Sequence, residues 1–457
     1  MKVSGLKGQK GAGTQAHIFS NRALAALLLP LVIEQFLNSM MGTADTIMVS
    51  NVGSAAISAA SLVDSLNILV IQVFSALAAG GTIICSQYLG SRNEKEANRA
   101  AGQLLFVVGV ISTSIMALCL ILNGPLLRLI FGAVEESVME ASKTYFFYTA
   151  LSFPFIALFG GASSIFRAQG NTKCPMIISV ISNGLNIIGN GVLIWGFHMG
   201  IAGAAIATLL SRIFCAVVIL YFLHKPGHVI GMYHFERPDG KLIYRIMSIG
   251  LPTGVESGMF QFGKLAIQST VSTLGTVAIA AQAMTNILEN LSGIGAIGIG
   301  IGLMTVVGQC MGAGQKEEAA YYIKKLTGFG EIVVLLSCLL VFAMVRPVTY
   351  FGGMEAESAG LCIYMTGWIT VVKPLVWTLS FVPAYGMRAA GDVRFSMVTS
   401  TITMWLFRVT LCVILCRFFG FGPMAVWIGM FTDWTVRAIV FTWRFFSGKW
   451  AEFHVIP

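Results

Sequence analysis

Charge is scarce in this chain, and so is any long polar stretch. Asp, Glu, Lys and Arg make up 11% of its 457 residues and hydrophobic residues 56%, whereas soluble domains carry about 25% charge. A soluble globular domain is thereby excluded. The nine cysteines are scattered, mostly inside apolar stretches (Cys119, Cys215, Cys338, Cys412). No pair has metal-ligand spacing, and Cys412 and Cys416 share one helix face as packing residues would. The six histidines lie in tails or at the ends of apolar stretches, so neither a metal centre nor a bound cofactor is expected. Acidic residues are missing altogether before the first apolar stretch, where Lys2, Lys7, Lys10 and Arg22 stand alone. That Gly- and Lys-rich start has no cleavable signal pattern and is expected to remain on the protein.

Apolar stretches of membrane-spanning length take up most of the remainder. We place about twelve, near 24–48, 57–84, 101–123, 143–166, 175–197, 201–223, 245–272, 279–310, 326–346, 360–386, 396–418 and 422–444. The predicted class is an all-α membrane protein. Basic residues gather on one side of these spans: Arg92, Lys95 and Arg99 in the second link, Lys225, Arg237, Lys241 and Arg245 around the central link, Arg444 and Lys449 after the last span. Links 49–56 and 273–278 have none. By the positive-inside rule both termini face the cytoplasm of a cell membrane. The net charge of +9 is accounted for by this bias, and no nucleic-acid surface is read from it.

The sequence also repeats itself. Pro30 and Pro252 each follow a leucine and precede a glutamate by four residues (Glu34, Glu256), an offset of 252 − 30 = 222. Gly53 then falls on Gly275, Ser86-Gln87 on Gly308-Gln309, Gly90 on Gly312 and Glu96-Ala97 on Glu318-Ala319. Two six-span lobes, 1–223 and 245–457, separated by a cytoplasmic linker at 224–244, follow from this. An even number of spans per half makes the repeat parallel, with a pseudo-twofold axis along the membrane normal. The links 91–100 and 313–325 are expected to be short surface helices or solvated connectors.

Ionisable groups at membrane depth cost about 2.5–3.5 kcal/mol each on insertion scales, so each demands a reason. Glu34, Asn38 and Asp45 fall within about 40° of one another around the first span, one polar stripe on an apolar helix. Pro30, a turn earlier, withholds an N–H from the preceding turn and marks a hinge. Asn183, Asn186 and Asn190 line the fifth span, and Thr208 stands in the sixth. Such amides either bond between helices or contact a ligand. Asp64 is a weaker candidate, expected to face solvent in the cavity. In the second half Glu256, Gln261, Lys264, Glu289 and Lys373 form a further polar set, and Asp433 and Arg437, at i and i+4, read as a structural pair. One tempting motif fails. Gly293, Gly295 and Gly298 spell a dinucleotide fingerprint, but without a preceding strand and inside an apolar span. Here, as at Gly200 and Gly203, small residues let helices approach closely.

Leu29-Pro30 through Gly42-Thr43-Ala44-Asp45-Thr46-Ile47-Met48 resembles the first span of the multidrug and toxic compound extrusion (MATE) family. So do Phe166-Arg167-Ala168-Gln169-Gly170-Asn171-Thr172 and its partner Met387-Arg388-Ala389-Ala390-Gly391-Asp392. The resemblance covers nearly the whole chain. It implies a monomeric antiporter in membrane lipid that exports small organic, often cationic, substrates as H+ or Na+ enters. It further implies that Asp45 is the ion-coupling carboxylate, with Asn38, Asn186 and Thr208 as polar neighbours and Pro30 as the bending point. Two departures stand out. Asn190 replaces a family aspartate, which throws coupling onto Asp45 with help from Glu34, and span ten offers Lys373 where sodium-coupled relatives have an aspartate. Proton coupling is therefore expected over sodium. The alternative reading is a flippase for lipid or lipid-linked oligosaccharide, which would favour basic cavity residues and extra spans. No catalytic constellation appears, so an enzyme is not expected.

Overall fold

The computed structural model describes residues 17–132, 134–231 and 237–456, the Thr43 side chain excepted. Lys2, Lys7 and Lys10, on which part of the orientation argument rests, lie outside the described residues. All regular structure among the described residues is helical. In the first half run α1 (Asn21–Ser50), α2 (Ser54–Gly90), α3 (Glu94–Ile121), α4 (Asn123–Phe131), α5 (Glu136–Leu151), α6 (Phe153–Ala168), α7 (Lys173–Asn190) and α8 (Gly200–His224). In the second run α9 (Gly240–Val271), α10 (Thr276–Gly312), α11 (Lys316–Phe351), α12 (Ala356–Ala390), α13 (Val393–Ile402), α14 (Leu411–Phe418) and α15 (Met424–Phe446). Eleven helical stretches are long and apolar enough to cross a membrane. The twelfth expected span, α9, has 32 residues, ample length at about 1.5 Å per residue, but carries Lys241, Arg245, Glu256 and Lys264. Leu129, Leu340, Phe351 and Ile439 stay more than half exposed, as side chains facing acyl chains do.

The repeat is built into the backbone. Helices α2 and α10 both have 37 residues, and both follow a glycine at positive φ, Gly53 at 141° and Gly275 at 92°. Only glycine takes such a conformation without steric cost, so these two positions fix how the chain re-enters the bundle. Asn93 (φ −98°, ψ 75°) and Gln315 (φ −97°, ψ 75°) then open α3 and α11 in matching conformations. Asn93 accepts from the Glu96 N–H at 3.1 Å, a side-chain cap. The links at 91–100 and 313–325 are therefore neither separate helices nor connectors for most of their length. Their glutamates occupy the first turns of α3 and α11, where the positive end of the helix favours acid.

Helix breaks are the main departure from the expected spans. The fourth span divides at Ser152 into α5 and α6, where Pro154 in the first turn of α6 has no N–H to give the preceding helix. The fifth span ends in a π-helical segment, Gly191–Gly196, and the eleventh carries another, Thr403–Thr410, between α13 and α14.

Packing divides the chain into two compact units: residues 37–254, and residues 17–36 with 255–456. The division thus falls inside α1 and α9, within two turns beyond Pro30 and within one beyond Pro252, and not in the connection 224–244. The described residues of the connection belong to the first unit, where amide side chains pair with their backbone. Asn98 bonds to Val229 and Gly231, Gln169 twice to Ile230, and Gln103 to Arg237 and Asp239, all at 2.9–3.2 Å. Asp239 also caps α9, accepting from the Lys241 N–H at 2.9 Å, and meets Arg99 at 3.0 Å. That backbone hydrogen bond, more than Arg99, holds the Asp239 carboxyl below its usual range.

In the second unit the glycine run of α10 is a packing surface. A Cβ on Gly298 would lie 3.0 Å from the Val32 backbone of α1, and one on Gly293 would lie 3.2 Å from the Lys373 ammonium. Gly203 of α8 likewise leaves room for the Leu193 backbone at 3.0 Å. Gly298→Val is expected to cost about 1–3 kcal/mol of stability through overpacking. Gly102→Val, where a Cβ meets nothing within 4 Å, is the control. Thermal unfolding of both purified variants in detergent checks this, and equal midpoints would sink the close-approach reading.

Candidate functional site

The polar residues of the first unit converge from five helices. Asn183, Asn186 and Asn190, at i, i+3 and i+7, share one face of α7. That face meets the second half of α1: Asp45 Oδ1 accepts from Asn190 Nδ2 at 2.7 Å. The same amide nitrogen reaches Asn186 Oδ1 at 3.2 Å, and Asn186 Nδ2 donates to Thr208 Oγ1 of α8 at 3.2 Å. About two turns away along α1, Asn38 Oδ1 accepts from Ser179 at 3.1 Å and from Asn183 at 3.4 Å. The structure thus brings Asp45, Asn186, Asn190 and Thr208 into one chain of contacts, and Asn38 into a second set on the same helix pair. Asn190 Oδ1 is buried and without a hydrogen-bond partner among the described residues.

A second carboxylate stands near the first. Asp64 of α2 accepts from Asn67 and from the Tyr145 hydroxyl of α5, both at 3.3 Å. Arg212 of α8 donates to Ser152 Oγ, at the α5–α6 break, at 2.7 Å. Its guanidinium lies within electrostatic reach of both Asp64 and Asp45. Asn67, Tyr145 and Arg212 were not among the residues expected. Arg212 was legible in principle, as a charge in the middle of an apolar span. Tyr145 carries no sequence signal that separates it from a packing aromatic.

Glu34 behaves differently. It is buried, at 3% exposure, in the half of α1 that packs with the second unit. The stripe seen on the first span is therefore shared between two units.

The second-half candidates do not form a single cluster. Glu256 of α9 accepts from Arg388 of α12 at 2.6 Å, and Arg388 also reaches Ser396 at 3.0 Å. Gln261 is half-buried on α9. Lys373 of α12 is fully buried and triply bonded: to Glu289 Oε1 at 2.5 Å, the Glu289 carbonyl at 2.7 Å and Ser292 Oγ at 2.9 Å. The ring of Trp377 adds a cation–π contact at 4.8 Å. Asp433 receives two hydrogen bonds from Arg437, at 2.9 and 3.2 Å, the pair foreseen from spacing. Lys264 extends over Phe260 at 5.1 Å. The described residues contain no group of three or more His, Cys, Asp or Glu able to hold a metal ion.

The comparisons match this architecture. A MatE family model fits residues 30–192 and again residues 252–414, the same 222-residue offset as the internal repeat. Among curated relatives, the "Probable multidrug resistance protein NorM" of Thermotoga maritima is 26% identical, over 94% of this chain and 93% of its own. The "Uncharacterized transporter YisQ" of Bacillus subtilis is 27% identical over 94% and 95%. Among solved structures, an outward-facing multidrug resistance MATE family transporter superposes with TM-score 0.88 at 20% identity, covering 93% of this chain and 96% of that one. A MATE structure in the straight conformation gives TM-score 0.87, also at 20% identity, over 94% and 96%. With two successive copies of one family model together covering most of its length, the chain belongs to the MatE family of multidrug efflux transporters. It is a multi-pass membrane protein.

The Glu289–Lys373 pair yields a stability test. Removing one partner of a buried ion pair typically costs about 3–5 kcal/mol, because the other charge is stranded. Lys373→Met is expected to lower the detergent unfolding midpoint sharply, and Lys373→Met with Glu289→Gln to recover much of the loss. No recovery in the double variant would show that Lys373 acts through other contacts.

Proposed function

We propose that this transporter is an antiporter, coupling the export of small organic, chiefly cationic, substrates to inward movement of a cation at Asp45, with protons favoured over sodium. The observation that carries the reading is the Asp45–Asn190 contact at 2.7 Å. Ionised, Asp45 can only accept, and the Asn190 N–H supplies a donor. Protonated, Asp45 gains an O–H donor, and the Asn190 Oδ1 that now lacks a partner can accept it after a half-turn of the amide. One proton thus reverses the direction of a hydrogen bond without stranding either group. Asn186 and Thr208 hold the amide in register in both states, since each carries a donor and an acceptor.

The same carboxylate, ionised, attracts an organic cation. Proton and substrate then compete for one negative charge, and that competition links their fluxes. Alternating access would follow from movement of one repeat against the other, with Pro30 as the hinge in α1. Asp64, Tyr145 and Arg212 set the local field. Glu34, buried elsewhere, is a second ion-coupling carboxylate in this reading.

The protein is further proposed to act as a monomer in the cell membrane, with both termini cytoplasmic, no bound cofactor and no nucleic-acid partner. Lys449→Cys should then react in intact cells with a membrane-permeant maleimide and not with an impermeant one, and labelling by both would reverse the orientation.

Asp45→Asn is expected to abolish pH-gradient-driven ethidium efflux from proteoliposomes, a loss of at least about tenfold, since an amide cannot exchange a proton. Unchanged efflux would remove Asp45 from the mechanism. An imposed sodium gradient at fixed pH is expected to drive little transport in the unsubstituted protein, and strong sodium-driven efflux would assign the coupling ion the other way.

A further inference from the structure

One cluster of charges within the second unit does not balance. Lys264, Lys373, Arg408 and Arg437 lie among two carboxylates, Glu289 and Asp433. Both carboxylates are already engaged. Glu289 is held by Lys373 at 2.5 Å, and Asp433 by two hydrogen bonds from Arg437. Arg408 approaches Asp433 only to 3.8 Å, beyond hydrogen-bond length. Its Nε is buried with no hydrogen-bond partner among the described residues. Lys264 has no carboxylate within ion-pair distance among them, and it feels Arg408 more strongly than Glu289.

These two cations share one aromatic neighbour. The Lys264 ammonium and the Arg408 guanidinium each lie 5.1 Å from the centroid of the Phe260 ring, hence no more than about 10 Å apart. The Lys264 side chain is exposed at the surface of the unit, while that of Arg408 is buried, at 6% exposure. Arg408 sits in the π-helical segment Thr403–Thr410, a local widening that recurs at functional sites. Two neighbouring like charges in an apolar bundle, one with an unsatisfied buried donor, are costly unless something negative completes them.

We propose that Lys264 and Arg408, both neighbours of the Phe260 ring, form a binding site on the second unit for an organic carboxylate borne on an apolar or aromatic body. An approaching carboxylate would meet the Lys264 ammonium first and then the Arg408 guanidinium. It would gain charge-assisted hydrogen bonds from both, while its apolar body lies along Phe260. If the transport reading holds, the site widens the substrate range from cations to zwitterions and anions. Binding itself does not depend on that reading.

Equilibrium binding of 2-naphthoate and its neutral analogue 2-naphthamide to the purified full chain in detergent tests the site. The carboxylate is expected to bind at least about tenfold more tightly than the amide, Lys264→Gln to erase most of that preference, and Lys264→Arg to keep it. Unfolding midpoints of both variants, unchanged from the parent, show that the fold survives. Equal affinity for the two probes, or a preference that Lys264→Gln leaves intact, overturns the proposal. So does displacement of nothing but dioleoyl phosphatidate, which would make the ligand a lipid headgroup. The Asp45→Asn protein separates this proposal from antiport: it should retain the naphthoate preference even if ethidium efflux proves never to have depended on Asp45.

Discussion

A charge placed in an apolar bundle must find its partner on a neighbouring helix, because neither lipid nor packed side chains will solvate it. That requirement orders the interior of both units. Asp45 on α1 is answered by Asn190 on α7, Asp64 on α2 by Tyr145 on α5, Glu289 on α10 by Lys373 on α12, and Glu256 on α9 by Arg388 on α12. Each contact pins two helices that are distant in sequence at one height. Apolar packing alone would tolerate sliding or rotation of a Leu- and Val-covered helix at little cost, whereas a missed hydrogen bond at these depths costs far more. The polar residues therefore specify register, and the apolar majority supplies the contact area around them.

Close approach makes such contacts reachable. Lys373 extends to Glu289 and Ser292 past a bare α-carbon at Gly293. In the first unit Gly203 gives α8 access to the π-helical segment that follows Asn190. Small residues and ionisable residues thus occur together for one reason: a short hydrogen bond across two helices needs backbones closer than large side chains permit.

Much of this was legible in the sequence. Span positions follow from apolar length, and the duplication follows from paired signatures whose spacing survives in the backbone at Gly53 and Gly275. The α7 asparagines and Asp45 announced themselves as polar positions on apolar helices. What the sequence concealed was pairing and boundary. A periodicity argument placed Glu34 and Asp45 on one stripe, which is correct for the helix, yet α1 divides its length between two units and takes Glu34 away from Asp45. The connection 224–244 looked like a free linker because it is polar, whereas Asn98, Gln103 and Gln169 bind its backbone. Composition cannot distinguish a polar segment hydrated by water from one satisfied by amides. Tyr145 and Phe260 were invisible for a related reason: an aromatic acquires a polar role only through what faces it.

The duplicated scaffold ends with opposite charge in its two copies. Around Asp45 the first unit sets two carboxylates against the single guanidinium of Arg212, and its hydrogen bonds run mostly from neutral amides and hydroxyls toward acid. The corresponding interior of the second unit gathers Lys264, Lys373, Arg408 and Arg437 about Glu289 and Asp433. The repeat itself accounts for part of this contrast, since the residue 222 positions beyond Asp45 is Ile267. Without a carboxylate there, the second unit has nothing to protonate at the matching depth of α9, and Lys264, less than one turn earlier, brings the opposite sign. In the function proposed above, a ligand carrying both signs would find a complementary environment in each copy, whereas a proton would find its acceptor in the first. Divergence at a handful of interior positions is thus enough to give two copies of one fold different interior charge, while the glycines and helix starts that shape the fold stay paired.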